Sequence, residues 1–520
     1  MAIITCTITV EMWLDAFLVD ESGNYLVDEN DNFLVADGWY DITNDVLIQS
    51  NPTWTHGNSG RTIFDRVANI GTFTFALNNS EWNQAQLAGY YSPDHGNRAT
   101  RFGLDTKVRI TIVEGVTTHE EWQGTINTIS PIAGQYKERQ TLITAEDWMA
   151  HAYRDKIRGI TVQTNKRDDE ILTTLLSIAS EAPDATNFSV GDDTYTYALH
   201  DENSITSTLA RVFQKLSMSG LGRIYLDGYN TLVYKSRSDL LLAGATDATF
   251  SDDMTDLKVS RSKSQRVKEI LVTAYPSQID TTPAVLWVAQ REISLTSGQE
   301  ITFDISFRDP EGRATRVAAL SLETLTADTD YKFSSVSGSG NDLNGSLTAT
   351  ITLKADIATV YLKNNSGGTG YLWFHQQRGT GVYLYEPVTI VSQTDQPNGE
   401  TLNIDLIYQD DQFVAQDISS LVTFWYTSDN SDVESMTFIA NKSQDLMDAA
   451  FLPCGSLVTI YETQTGIASS FIVNGTSKTL LAGKYIQVTW YLTYANQISG
   501  VCKLDVVGLA ELDSTAVLGA

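Results

Sequence analysis

The sequence predicts a mainly β protein: two β-barrels, a small α+β domain and a β-sandwich. Three observations predict it. One run of residues occurs twice, first as GLDTKVRITIVEG, HEEWQGTINTI and QTLITAED within 103–147, then as CGSLVTIYETQTG, SSFIVNGTSKTL and AGKYIQVTWYLTY within 454–494. Each copy reads as a strand with alternating faces, a Gly-centred turn, a second strand and a third, a meander that suits a small barrel. Between the copies lie two segments of helical period followed by a hairpin. A long Ser/Thr-rich stretch with the turn clusters SGSGND and NNSGGTG then alternates like sandwich strands.

The elements follow in chain order. MAIITCTITVEMWLD alternates as a strand and lacks the basic start of a secretory signal. Next, Leu18-Val19-Asp20, Leu26-Val27-Asp28 and Leu34-Val35 recur at a constant interval, separated by ESGNY and ENDNF, and read as stacked hairpins. Asp28, Asn30 and Asn32 have the spacing of the first three ligands of an EF-hand calcium loop. Phe33 stands where that loop needs Gly and Trp39 where it needs Glu, which favours plain turns. In the first barrel Phe73, Phe75 and Leu77 share one strand face. The loop GYYSPDHGNRATRFG is long enough to suggest an interface, with Tyr90 and Tyr91 as its contact residues.

Ile171, Leu172, Leu175, Leu176 and Ala179 predict a helix over 168–180. Ile205, Leu209, Val212, Phe213 and Leu216 predict a second over 204–217 behind a Ser204 cap. GRIYLDGYNTLVYKSR predicts a hairpin with its turn at Asp227-Gly228. The basic run Lys258, Arg261, Lys263, Arg266 and Lys268 reads either as a contact for an acidic neighbour or, more plainly, as charged positions guarding a strand edge. The resulting division is 1–37 for the N-terminal strand and hairpin repeat, 38–155 for the first barrel, 156–269 for the α+β domain, 270–395 for the sandwich, and 396–520 for the second barrel and C-terminal tail.

Composition narrows the function. The chain has 520 residues, with 35 Lys and Arg against 64 Asp and Glu, a net charge of -29. Such a surface repels phosphates, so specific nucleic-acid binding is not expected, although an acidic wall could let DNA pass without sticking. The first sixty residues hold ten acidic side chains and no Lys or Arg. Cys6, Cys454 and Cys502 are too few for a disulfide framework or a zinc site and read as free thiols. No apolar run reaches the ~20 residues of a membrane span. His119-Glu120-Glu121 lacks a second His one turn on, and nucleophile-elbow and phosphate-loop motifs are absent. No enzyme activity and no cofactor are expected. Tyr371, Trp373, Phe374, Tyr383 and Tyr385 could stack on a sugar or cover a core.

The hairpin repeat LVDESGNYLVDENDNFLVADG, GTFTFALNNS with the loop and strand that follow it, GRIYLDGYNTLVYKSR and the ending ELDSTAVLGA together resemble minor tail proteins of tailed bacteriophages, of the baseplate or tail-tip hub class. The resemblance implies tail-tube-like barrels, two per subunit, and a homotrimer that closes the tail tube as a pseudo-sixfold ring. It implies assembly in the host cytoplasm and residence in the virion tail. The implied partners are the tube or distal tail protein, the tape measure protein and a central fibre or spike. A receptor- or carbohydrate-binding tail protein, with the sandwich as binder of a host-surface glycan, and a hexameric distal tail protein remain alternatives. An acidic glycoside hydrolase has no specific residue behind it.

Overall fold

The computed structural model describes residues 4–17, 35–134, 139–157, 159–200, 207–241, 246–396, 398–427 and 432–495. The fold is mainly β. Strands β1 (Thr7–Phe17) and β2 (Val35–Asp41) form a hairpin, and β1 continues onto β5 (Lys107–Glu114). Between them come β3 (Thr53–Gly57) and β4 (Thr72–Asn78). A meander follows: β5, the long β6 (Thr117–Ile132) and β7 (Gln140–Glu146), with β7 returning to pair with β4. The hairpin repeat that carries Asp28, Asn30 and Asn32 lies outside the described residues.

The α+β domain consists of helix α1 (Asp168–Leu176), strand β8 (Ala185–Phe188), helix α2 (Leu209–Gly220) and the hairpin β9 (Arg223–Leu226) and β10 (Thr231–Lys235), with β8 parallel to β10. The stripe read from the sequence is the buried one. Leu209, Val212, Phe213 and Leu216 of α2 pack with Ile171, Leu172 and Leu175 of α1 and with Ile224 and Leu232 of the hairpin. The cap of α2 is Thr208, whose hydroxyl accepts from the Arg211 N–H at 3.4 Å. The expected cap, Ser204, lies outside the described residues. Helix α2 therefore starts later than its apolar spacing suggested.

Strands β11 (Ala248–Ser251) and β12 (Asp256–Ser260) leave this domain and join the large sheet. Strand β13 (Val267–Ala274) then lies between β15 (Val388–Gln393) and β16 (Glu400–Leu406), under helix α3 (Gln412–Thr427). The sandwich is inserted between β13 and β15. Its long strand β14 (Gly370–Leu384) pairs with short strands on both edges, and a three-stranded sheet of Glu300–Ser306, Leu347–Leu353 and Ile357–Asn364 packs against it over Leu286, Val317, Phe333, Ile305 and Val360. The sequence boundary at 270 falls inside β13, because its alternating apolar residues read alike whichever sheet they join.

The second copy of the repeat is β17 (Asp432–Ile439), helix α4 (Gln444–Ala450), β18 (Leu457–Glu462), β19 (Ile467–Leu481) and β20 (Tyr485–Tyr494). Its strand order, β17-β20-β19-β18, matches β4-β7-β6-β5 of the first. The ladders do not close each copy into its own barrel among the described residues. Strand β3 pairs with β4 on one edge and β19 on the other, so both copies lie in one thirteen-stranded sheet over one contiguous core that includes Trp54, Phe73, Trp122, Phe438 and Trp490.

Candidate functional site: the seam between the repeats

The seam is the ladder in which Thr53, Trp54, Thr55, His56 and Gly57 of β3 face Thr479, Lys478, Ser477, Thr476 and Gly475 of β19. At Gly57 and Gly475 the backbones come too close for a side chain. A Cβ on Gly57 would stand 2.4 Å from the Asn474 carbonyl oxygen, and one on Gly475 would stand 2.6 Å from that of Asn58. Beyond the strand, the Asn58 N–H still donates to the Asn474 carbonyl at 2.9 Å.

Two β-bulges build the seam's chemistry. In the β5–β6 ladder Ile110 faces Trp122 and Thr111 faces Glu120, so Glu121 is the extra residue. The bulge lets consecutive Glu121 and Trp122 both be buried. Glu121 Oε2 accepts from Lys478 Nζ at 2.5 Å and from Trp54 Nε1 at 3.2 Å. One carboxylate from the first repeat thus meets a buried ammonium from the second. Breaking such a pair costs more than it contributes whole, because the survivor is a buried lone charge. His56 Nε2 bonds the Glu121 carbonyl, and burial lowers its pKa to about 4, so it is neutral near pH 7.

The second bulge falls at the same place in both repeats. In β6 it is Asn127, two residues past Thr125, which faces the first residue of β5; in β19 it is Asn474, two residues past Ile472, which faces the first residue of β18. The flanking bonds also match. Ile126 exchanges backbone hydrogen bonds with Asp105 and Thr106 as Val473 does with Gly455 and Ser456, and Asp105 and Gly455 both have positive φ. At the seam Asn474 is buried and bonded to Gly60, Thr493 and Arg223. Cys454 lies beside Gly57 as a free thiol, its pKa pushed up to about 12 by burial. A small cavity of about 10 Å³, room for roughly one water, is lined there by Arg66, Arg223, Cys454 and Asn474. Burial, then the nearby Arg223 guanidinium, lowers the Arg66 pKa to about 9.

Helix α4 tightens the join. Phe451, just past it, stacks on His119 of β6 with ring centroids 3.6 Å apart, and Gln444 Nε2 donates to Glu114 Oε1 at 2.5 Å. Asn441 holds the N-terminal strand, exchanging bonds with the Ile4 backbone.

The structure does not bring the residues singled out from the sequence together. Tyr91 is buried and its hydroxyl donates to Asp45 at 2.6 Å, so it anchors its loop to the core and is not available to a neighbour. Tyr90 is partly buried and packs edge-on against it. Lys258 and Lys263 are exposed, Lys258 on β12, which forms one edge of the large sheet among the described residues. Arg261 is exposed and Arg266 partly buried just beyond it. In the sandwich Tyr383 is core, while Trp373 is exposed with Lys332 Nζ 5.4 Å from its ring centroid. Among the described residues, no group of three or more His, Cys, Asp or Glu is placed to hold a metal, and no helix is long and apolar enough to cross a membrane. Of the seam residues only Asn474 carried a signal, the presence of an Asn in the long strand of each copy, Asn127 before Thr128 and Asn474 before Gly475; Glu121 and Lys478 carried none.

No protein-family model matches the chain, and none of the curated proteins does. Among solved structures it is similar to the tail protein from Neisseria meningitidis MC58, at 9% identity over 94% of this chain and 96% of that one, with a TM-score of 0.47. It is also similar to the 43 kDa tail protein of prophage MuSo2 from Shewanella oneidensis, at 9% identity over 94% and 98%, TM-score 0.46. A third is a prophage tail protein from Listeria monocytogenes EGD-e, at 8% identity over 93% and 94%, TM-score 0.41. All three are described as tail proteins, the second and third as prophage tail proteins.

Proposed function

We propose that this chain is a structural hub of a phage tail tip, a homotrimer whose two repeats per subunit form a pseudo-sixfold ring that closes the tail tube. The observation that carries the reading is the duplicated four-strand unit, with the same strand order and the same bulged asparagine, held in one sheet. Three subunits with two such units each present six similar strand sets. That number matches a sixfold tube on one side while the subunits keep threefold symmetry for a spike or fibre on the other. The partners of this reading are the tube or distal tail protein, the tape measure protein and the central spike. No catalytic step or cofactor enters it. The net charge of -29 per subunit suits a conduit for DNA during ejection, since phosphates would find no counterion to displace. Native mass spectrometry of the assembled tip tests the reading. Three copies are expected; six copies would replace the hub with a hexameric distal ring.

A further inference from the structure

The internal seam has a counterpart that no strand covers among the described residues. Strand β3 precedes β4, pairs antiparallel with it, and offers its other edge to residues 475–479 of β19. Strand β12 stands in the same relation to the second repeat: it precedes β17 and pairs antiparallel with it. Its other edge has no strand partner among the described residues. The place that corresponds to 475–479, counted from the shared asparagine bulge, is 128–132 of β6. That stretch pairs with β7 on one side and has no strand on the other among the described residues.

The side chains around this open edge repeat the pattern. Position 104 corresponds to 454, because the next two residues in each copy make the same backbone bonds to the long strand. Cys454 is 7% exposed under the seam, whereas Leu104 is 63% exposed. Asn474 is buried and bonded across the seam, whereas Asn127 is exposed and bonds only within its own repeat, to Glu146 Oε1 at 2.7 Å. An exposed leucine and an exposed asparagine beside an unpaired strand edge are what the internal seam would look like with its covering strand removed.

We infer that β12 of a second copy of this chain pairs antiparallel with residues 128–132 of β6, so that the seam within each subunit is repeated between subunits. The register follows from the internal one: Thr55 faces Ser477 at the seam, so Val259 should face Ser130, within the single residue that the bulge between Lys258 and Val259 allows. The contact is head-to-tail, one subunit's β12 on the next subunit's β6, and such a contact gives a ring where its rotation closes, here after three subunits. Leu104 is then covered by the segment that follows β12. Pro131 has no N–H to donate, which costs nothing at the strand edge of the free subunit and leaves one bond of the intersubunit ladder unmade.

This inference rests on the hub reading, and cross-linking separates the two. The double variant Val259→Cys/Ser130→Cys, and Ser260→Cys/Ser130→Cys for the adjacent register, are mildly oxidised and run without reductant. Facing Cα atoms of an antiparallel pair lie ~4.5–5.5 Å apart, within disulfide reach. Expected is a covalent ladder ending at the trimer for at least one pair, and none for the single variants. In parallel, Leu104→Asp, which alters an exposed residue, should leave the monomer's melting unchanged and raise the concentration at which half the subunits assemble by tenfold or more. Trimers with no cross-link from either pair and no effect of Leu104→Asp would overturn the inference and leave the hub standing. A native mass other than three would remove the hub itself.

Discussion

Asn127 and Asn474 occupy the same bulge in two copies of one strand unit, yet one is exposed and the other buried with bonds to three partners. The backbone is the same in both, so the difference lies in what crosses the neighbouring edge. At Asn474 that edge is covered by β3 and the loop after it; at Asn127 nothing among the described residues covers it. The repeat therefore specifies its own strand order, while burial at its edge depends on which strand docks there. Among the described residues, the duplicated unit has one closed edge and one open edge.

The comparison can be broken most severely at the ion pair. Lys478→Ala leaves Glu121 buried and unpaired and should cost about 3–5 kcal/mol. Glu121→Gln/Lys478→Met should recover most of that loss, as read by chemical denaturation. If both variants were equally destabilised, the buried charge would not be the cause. A similar loss, about 3–5 kcal/mol, is expected for Trp490→Ala. Because Trp490 shares one core with Trp122 and Phe73, both repeats should melt in a single transition at a lower temperature. Two separated transitions would mean the seam does not couple them.

Changes in pH act on the seam and on the α+β domain with opposite sign. The His56 pKa is lowered to about 4, so between 6.5 and 4 the unfolded chain takes up a proton that the folded chain refuses, and stability falls as the pH drops. His375, buried in the sandwich with its pKa also lowered to about 4, acts in the same sense. The Asp168 pKa is raised to about 7, chiefly by burial and against the hydrogen bond from Tyr195 at 2.9 Å. Its contribution is present below the ordinary value of 3.8 and is lost as the pH rises through 7. Each group changes stability by at most about 1.4 kcal/mol per pH unit. Asp168→Asn should therefore steepen the rise of stability between pH 4 and 7, and His56→Gln should flatten it, because His375 and Asp168 then offset each other. Parallel profiles in the two variants would contradict these assignments.

The smallest effects sharpen the comparison most. Asn474→Ala should cost about 1–3 kcal/mol, because it leaves buried partners unsatisfied. Asn127→Ala should fall within about 0.5 kcal/mol in the isolated subunit. Equal costs in the monomer would mean that the two edges do not differ.

Much of this was legible in the sequence. The repeat could be read because alternation and turns are local, and the stripe around Phe213 because helical period is local too. The seam could not be read. The bulges at Glu121 and Asn474 shift the alternation by one residue, so a buried carboxylate stands next to a buried Trp where period two would put one of them outside. The pairing of β3 with β19 joins residues more than four hundred positions apart, and nothing in either strand names its partner. Tyr91 read as a surface residue because its loop is polar and Gly-rich, but Asp45 draws the loop back onto the core. The second copy's outer strands come from 248–260, ahead of the sandwich insertion, where composition gave no sign that they belong to the sheet.

The central claim is that two copies of one strand unit per subunit make six equivalent positions in a trimer. A reconstruction of the assembled tail tip, refined without imposed symmetry, tests it most directly. The expected map shows three subunits, with β4–β7 and β17–β20 alternating around one ring at the same radius. Three subunits with the two units at different radii, or a ring built from one unit alone, would contradict it.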